Sequence, residues 1–370
     1  MKKVTIIGGG LSGLLTSIQL VRENIPAQLF EKKLYPFHRV CGEYISNETI
    51  PFLKSLSLYP EEFHPSQINR LQLTSVNGKS ASLPLNLGGF GISRYCFDNW
   101  LYQKAIQEGV EVHQNTEVST IQFKENQFIL STKEKTFASD VIVGSYGKRS
   151  RLDVTLDRRF IKKRSPYIGV KYHIRTEHPD GLIALHNFKD GYCGISHVED
   201  GISNLCYLSH RDNLKKTGSI HALEEQILFK NPFLKNIFKN AEFVFAVPET
   251  INEVSFETKG PVENHILMAG DAAGMITPLC GNGMAMAIHT SKILSGHIVQ
   301  YCKNESSSRK ELESSYAKEW QQQFAARLRV GRQLQNLFGS TFTSNLAVGL
   351  AQNFKPLAQY LISKSHGKPF

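Results

Sequence analysis

The sequence predicts an α/β protein: a parallel sheet covered by helices, interrupted by a mostly antiparallel sheet and closed by C-terminal helices. Three observations predict it. A buried strand, a glycine turn and an apolar helix open the chain in that order. Residues 68–76 and 79–85 alternate apolar and polar positions around an Asn-Gly turn, and residues 166–210 and 242–257 are strand-rich with Asp-Gly turns. A strand running into Gly270-Asp271 then leads into a long helix.

Residues 3–7 read as a buried parallel strand. Leu11–Glu23 reads as a helix, with Leu14, Leu15, Ile18, Leu20 and Val21 at helical spacing. Ala27–Glu31, after Pro26, is the second strand. Segments 68–76 and 79–85 flank Asn77-Gly78, the strongest short-range hairpin signal. Cys96–Glu108 is helical and stops at Gly109. Short strands follow at 110–113, 117–123, 127–132 and 140–144. Residues 166–210 and 242–257 are strand-rich, with turns at Asp180-Gly181, Asp190-Gly191 and Asp200-Gly201 and a helix near 219–230. A strand at 264–269, a helix from Gly283 to about Val299, an amphipathic helix over 308–338 and an apolar helical end complete the chain. Residues 1–67, 93–160 and 261–305 then form one discontinuous domain. Residues 68–92 and 161–260 form an inserted substrate domain, and 306–370 a helical segment.

A chain of 370 residues suits two interlocked domains. Its 41% hydrophobic and 21% charged content is that of an ordinary globular protein. No window is long and apolar enough to span a membrane, and the apolar run after Lys3 is too short for a secretory signal. The six cysteines form no C-x-x-C pair and have no histidine at zinc spacing, so no metal site is expected. They read as free thiols in a reducing cytoplasm. The net charge is +10 and the pI about 9.2. The basic residues are scattered apart from a short cluster over 158–164, so nucleic acid is not expected as a partner. The charge points to an anionic cofactor or peripheral contact with an anionic membrane surface. Nothing in the sequence sets the oligomeric state.

Gly8, Gly10 and Gly13 form G-x-G-x-x-G between a strand and a helix, the context that gives the motif meaning. The first glycine permits the tight turn, the second a close approach to a pyrophosphate, and the third helix–strand packing. With Leu11 and Ser12 they place a helix N-terminus against the anion. Glu31 ends the second strand, followed by Lys32, where a carboxylate can accept both hydroxyls of a ribose. Gly270-Asp271 and Pro278, Gly281, Asn282 and Gly283 form a second element. An aspartate ending a strand can accept a ribityl hydroxyl, and the helix from Gly283 can aim its positive end at a flavin.

Together these motifs resemble the flavoprotein monooxygenase superfamily, of which p-hydroxybenzoate hydroxylase is the type member and the geranylgeranyl reductases are a branch. The resemblance runs from residue 1 to about 300. It implies a Rossmann-like FAD-binding domain of the p-hydroxybenzoate hydroxylase/glutathione-reductase type, with FAD held non-covalently. It also implies that Arg94 contacts the ribityl–phosphate portion, that the backbone at Val118 touches adenine, and that Arg39 lies near the pyrophosphate. Asp153 lies outside these motifs, so its loss is expected to spare FAD binding. The family's G-A-D-G-x-x-S-x-x-R is replaced by Gly144-Ser145-Tyr146-Gly147-Lys148-Arg149-Ser150-Arg151. Tyr146 takes the place of an aspartate credited with FAD and nicotinamide binding, which leaves NADPH or NADH as an expected donor without its usual docking residue.

Val40-Cys41-Gly42-Glu43 resembles the cysteine loop of the geranylgeranyl-reductase-like branch. There Cys41 would protonate an alkene, or would simply shape a loop. Glu43 reads as an acid or as a helix-start carboxylate. His173, His186 and His197 read as structural. The W-x-W-x-I-P motif of the tryptophan halogenases is absent. The first expectation is a monooxygenase acting on a small apolar or aromatic substrate, because hydroxylation is the commoner chemistry in the superfamily. The second is an alkene reductase of prenyl or polyene chains. The third is a flavin-binding protein without turnover.

Overall fold

The structure is a computed structural model that describes residues 2–335 and 340–370. The last residues of the helix expected over 308–338 lie outside the described residues. In chain order, β1 (Val4–Ile7), α1 (Leu11–Arg22) and β2 (Ala27–Phe30) form the opening unit. Next come β3 (Tyr44–Ser46), α2 (Ile50–Ser55), the hairpin β4 (Ser66–Thr74) and β5 (Ser80–Gly91), and α3 (Arg94–Gln107). Then follow β6 (Glu111–His113), β7 (Thr120–Lys124), β8 (Gln127–Ser131), β9 (Thr136–Ser139), β10 (Val141–Gly144) and α4 (Arg151–Thr155). The second long insertion holds β11 (Tyr167–Arg175), β12 (Leu182–Phe188), β13 (Gly191–His197), β14 (Ser203–His210), α5 (Arg211–Thr217), α6 (Ile220–Gln226), α7 (Pro232–Asn240), β15 (Glu242–Phe243) and β16 (Glu249–Asn252). The chain closes with β17 (Val262–Glu263), β18 (Ile266–Met268), α8 (Gly283–Lys303), α9 (Arg309–Gln335), α10 (Thr341–Asn353) and α11 (Lys355–Ser365).

The first sheet runs β17-β18-β10-β1-β2-β6 and is parallel except for β17. Val4, Ile6 and Leu29 are fully buried, as continuous apolar strands require when both faces are covered. Helix α1 packs on this sheet between α3 and α8. The second sheet runs β15-β11-β14-β13-β12-β4-β5-β3, with β16 also on β11. It is antiparallel except where β12 meets β4. The expected hairpin at Asn77-Gly78 joins β4 to β5. Strand β3, not apparent from the sequence, brings the chain beyond Cys41 onto the edge of this sheet against β5. A three-stranded meander, β7-β8-β9, completes the set; β7 starts at Thr120, so Val118 lies in the connection before it.

Candidate functional site

A cleft of about 950 Å³ lies between the two sheets. Gly10, Leu11, Ser12, Glu31, Lys32, Arg39, Cys41, Arg94, Gly270, Asp271, Pro278, Gly281 and Gly283 all line it. Gly8 and Gly13 shape its floor from beneath. A Cβ on Gly13 would sit 2.1 Å from the Gly8 carbonyl oxygen, and one on Gly8 would sit 2.5 Å from that of Ser145, with Gly8 at φ 107°. Val118 and Asn282 do not line the cleft. Val118 is buried, and the Asn282 side chain turns away to donate to Glu48 at 3.0 Å.

Helix capping shows what the cleft is built to receive. Side chains of Ser93, Ser150, His210, Ser219, Asn231 and Ser340 cap α3, α4, α5, α6, α7 and α10. Helices α2 and α11 carry a proline in their first turn, which removes an unpaired N–H. Helices α1 and α8 have neither device, and both begin in the cleft wall at Gly10 and Gly283. Their first-turn N–H groups and positive dipole ends are left for a ligand. Ser12 Oγ, also in the wall, is buried without a protein partner. These are the features an FAD would need: a backbone cradle for its pyrophosphate, a second helix end for the ring, and volume for both. The residues present fit that cofactor.

One flank of the cleft carries alternating charges. Arg94 makes a two-pronged pair with Asp98 at 2.6 and 2.7 Å. Arg39 bridges Asp98 at 3.0 Å and Glu31 at 3.1 Å. Glu31 also accepts from the Gly9 and Lys33 backbone N–H groups, each at 3.0 Å. A carboxylate offers about four acceptor positions. Three are already used, which leaves room for one ligand hydroxyl where the sequence suggests two. Tyr146 lies in the wall with its hydroxyl 3.4 Å from Met268 Sδ. Arg149 is tied to Glu253, while Arg151 stays exposed and only 3.7 Å from Glu117.

Glu43, which lines the cleft beside Arg94, belongs to a cluster that sequence reasoning missed. Glu43 and Lys171 are both 0% exposed and pair at 2.5 Å. His173 Nε2 lies 2.7 Å from the other Glu43 oxygen. The Arg94 backbone N–H, in the first turn of α3, donates to Glu43 at 2.8 Å. Burial alone would raise the Glu43 pKa, but Lys171 and His173 outweigh it and hold the carboxyl at about 2. Glu43 is therefore no proton donor at neutral pH; it is the helix-start carboxylate of α3. His173 is not merely a strand histidine, because it completes this cluster. His186, bonded to Thr74 and pushed by burial to about 3, and His197, bonded to the His178 carbonyl, stay structural. The signal in the sequence was Lys171 and His173 two residues apart, hence on one face of a strand that is otherwise buried.

The Cys41 loop lines the cleft next to Glu43. Lys148 Nζ holds the Val40 carbonyl at 2.9 Å, and Asn204 Nδ2 holds that of Cys41 at 3.1 Å. Glu43 sits at φ 52°, a left-handed backbone that a non-glycine residue keeps only when its surroundings enforce it. Cys206 lines the same cleft, and burial pushes its thiol up to about 12. The cleft therefore holds two thiols where the sequence singled out one. Asp153 proves a poor neutral position: it is fully buried, pairs with Arg158 at 2.9 Å and closes a capping box with Ser150.

No family model matches the chain. The conditioned medium factor receptor 1 of Dictyostelium discoideum is 23% identical over 80% of this chain, which spans 63% of that protein. The digeranylgeranylglycerophospholipid reductase of Methanococcus vannielii is 22% identical over 86% of this chain and 82% of its own length. A geranylgeranyl bacteriochlorophyll reductase-like protein from Thermoplasma acidophilum superposes with a TM-score of 0.78 at 15% identity, covering 100% of this chain and 96% of its own. The flavin-dependent brominase Bmp2 superposes with a TM-score of 0.77 at 18% identity, covering 98% and 93%. The chain has the fold of the FAD-dependent flavoprotein superfamily. Within it, the chain is similar to the geranylgeranyl-reductase-like branch. Motifs, cleft and relatives together support an FAD-dependent oxidoreductase.

Proposed function

We propose that this protein is an FAD-dependent reductase that adds two hydrogens across a carbon–carbon double bond of an apolar, prenyl-type chain. The observation that carries this reading is the position of Cys41. It lies in one wall of the cleft that also holds Asp271 and the bare N-terminus of α8. A chamber of about 150 Å³ opens beside that cleft and shares Tyr44, Ile183, Leu185, Pro278 and Gly281 with it. Leu71, Leu73, Leu83 and Leu85 make its lining apolar, as a hydrocarbon tail requires. The reductase named among the relatives supports the same order. Oxygen insertion, the first expectation from the sequence, becomes the second reading; the brominase has the same fold.

Gly8, Gly10, Gly13, Ser12, Glu31, Arg39, Arg94, Asp271 and Gly281 would hold the FAD, which supplies the hydride once NADPH, NADH or another donor has reduced it. The chain's own residues do the rest. The apolar chamber orients the double bond and excludes water. Cys41 gives its proton to the carbon that receives no hydride, and its thiolate regains a proton from solvent. Glu43, Lys171 and His173 keep the loop in place without joining the transfer.

The test is turnover of a prenyl or polyene substrate without oxygen. The expected product carries two added hydrogens and no added oxygen atom. Cys41→Ala should suppress reduction with FAD still bound, and Cys206→Ala should not. A product containing a new oxygen atom, with turnover retained in the Cys41 variant, would reverse the order of the two readings.

A further inference from the structure

From Trp320 to Phe370 the chain contains no aspartate or glutamate and six lysines and arginines. Within that acid-free stretch lie five of the twelve large apolar side chains that stand exposed among the described residues: Phe342, Leu346, Phe354, Leu357 and Tyr360. Phe342 is 78% exposed and Phe354 61%. Phe342 and Leu346 are four apart on α10, so they share a face. Phe354, Leu357 and Tyr360 continue from the junction along α11. Exposed Lys355, Lys364 and Lys368 stand among and beyond them. The inner faces of the same helices, through Leu350, Ala351, Ala358, Leu361 and Ile362, line the apolar chamber. Helices α10 and α11 are therefore apolar on two sides, one toward a cavity and one toward solvent.

A helix that lies in a membrane interface has this composition: large apolar and aromatic groups exposed together, lysines around them and no opposing charge. The missing acidic residues decide between occupants. A second copy of this basic chain would bring like charges together across the patch, whereas an anionic lipid surface attracts every lysine in it. We infer that α10 and α11 form a docking face for an anionic lipid bilayer, with the apolar chamber opening behind it. The face goes beyond the reaction assigned above, since it would bind lipid whether the cleft reduces or hydroxylates. It would give a lipid-borne chain a path from bilayer to cleft.

The experiment is flotation of the purified full-length protein with vesicles of phosphatidylcholine alone, and of phosphatidylcholine mixed with phosphatidylglycerol. The expected result is binding to the mixed vesicles and little to the neutral ones, weakened by salt. Phe342→Ser with Phe354→Ser should weaken binding roughly a hundredfold. Lys355→Gln with Lys364→Gln should weaken it roughly tenfold or more. FAD content should be unchanged in all variants, which shows that they fold and separates this test from the reaction reading. If the wild type stays unbound with anionic vesicles, or the phenylalanine variants bind as well as wild type, the proposal falls. It also falls if the protein ignores vesicles and the phenylalanine variants convert a dimer to a monomer, because the face would then join two copies.

Discussion

The two walls of the cleft are made of different material. The wall from β1, α1 and β18 is backbone: glycines at close approach, carbonyls, and helix ends without side-chain caps. The wall beside β3 is braced by side chains: Glu43 lines it and joins Lys171 and His173, buried behind it and more than a hundred residues away in sequence. A backbone wall tolerates almost no substitution at its close contacts. A charged side-chain wall tolerates paired substitution but not single loss, because one partner removed leaves the other buried and uncompensated.

The largest effect should fall on the backbone wall. In Gly13→Val the new Cβ would sit 2.1 Å from the Gly8 carbonyl oxygen and 2.7 Å from Ser145 Oγ. Neither the backbone oxygen nor the helix can give way, so a loss of about 4–5 kcal/mol or more is expected. Flavin absorbance per protein and the urea midpoint both check it. A stable, yellow Gly13→Val protein would mean that the turn is looser than its contacts indicate.

On the other wall, Glu43→Gln should cost about 3–5 kcal/mol, because Lys171 is left buried without its partner. Glu43→Gln combined with Lys171→Met should recover most of that loss, which no second substitution can do for Gly13. The wild type should also weaken in acid. The folded carboxyl titrates at about 2 against 4.5 for an ordinary glutamate. Its contribution is therefore complete above pH 4.5 and is lost as pH falls toward 2. The double variant should lack this part of the acid transition in a urea series at falling pH.

The same contrast explains what the sequence disclosed. Gly8, Gly10, Gly13, Asp271 and Gly281 were legible because a backbone site demands particular residues at fixed spacing along one stretch of chain. Asn77-Gly78 announced its hairpin for the same reason. Glu43, Lys171 and His173 were not legible as a group, because β3 and β11 come together only when the sheet forms. Periodicity cannot show that pairing, and β11 is buried on both faces, so its polar residues gave no clean alternation. Asp153 misled in the opposite direction. It stands outside the motifs yet is buried against Arg158, a contact five residues away that its spacing alone does not distinguish from a solvated pair.

A smaller effect should follow from Asp271→Ala. The residue lines the cleft where a ribityl hydroxyl would need an acceptor, and losing one hydrogen bond to a carboxylate costs about 1–3 kcal/mol. FAD titration should show a weaker dissociation constant with the thermal stability of the apoprotein nearly unchanged. Glu305→Ala, on an exposed turn, is the control and should match wild type. Equal effects from the two would move the flavin away from the α8 end of the cleft.

The smallest expected effect lies behind the backbone wall, at Lys259. Lys259 Nζ donates to the Lys148 carbonyl at 2.7 Å and the Asp271 carbonyl at 2.9 Å, above the Phe160 ring. Burial lowers its pKa from 10.5 to about 8, and the nearby Asp271 and Asp153 charges only partly oppose that. Between those two values the unfolded chain binds more protons than the folded one, so stability should rise as pH increases from about 8 to 10.5 and level off above. The side chain is partly exposed, so solvent screening reduces the gain to about 1 kcal/mol. Lys259→Met should flatten that slope in urea midpoints measured across the window. If wild-type stability instead fell over the same range, Lys259 would be acting as a charged partner of Asp271. The backbone wall would then depend on an ion pair, and the distinction between the two walls would fail there.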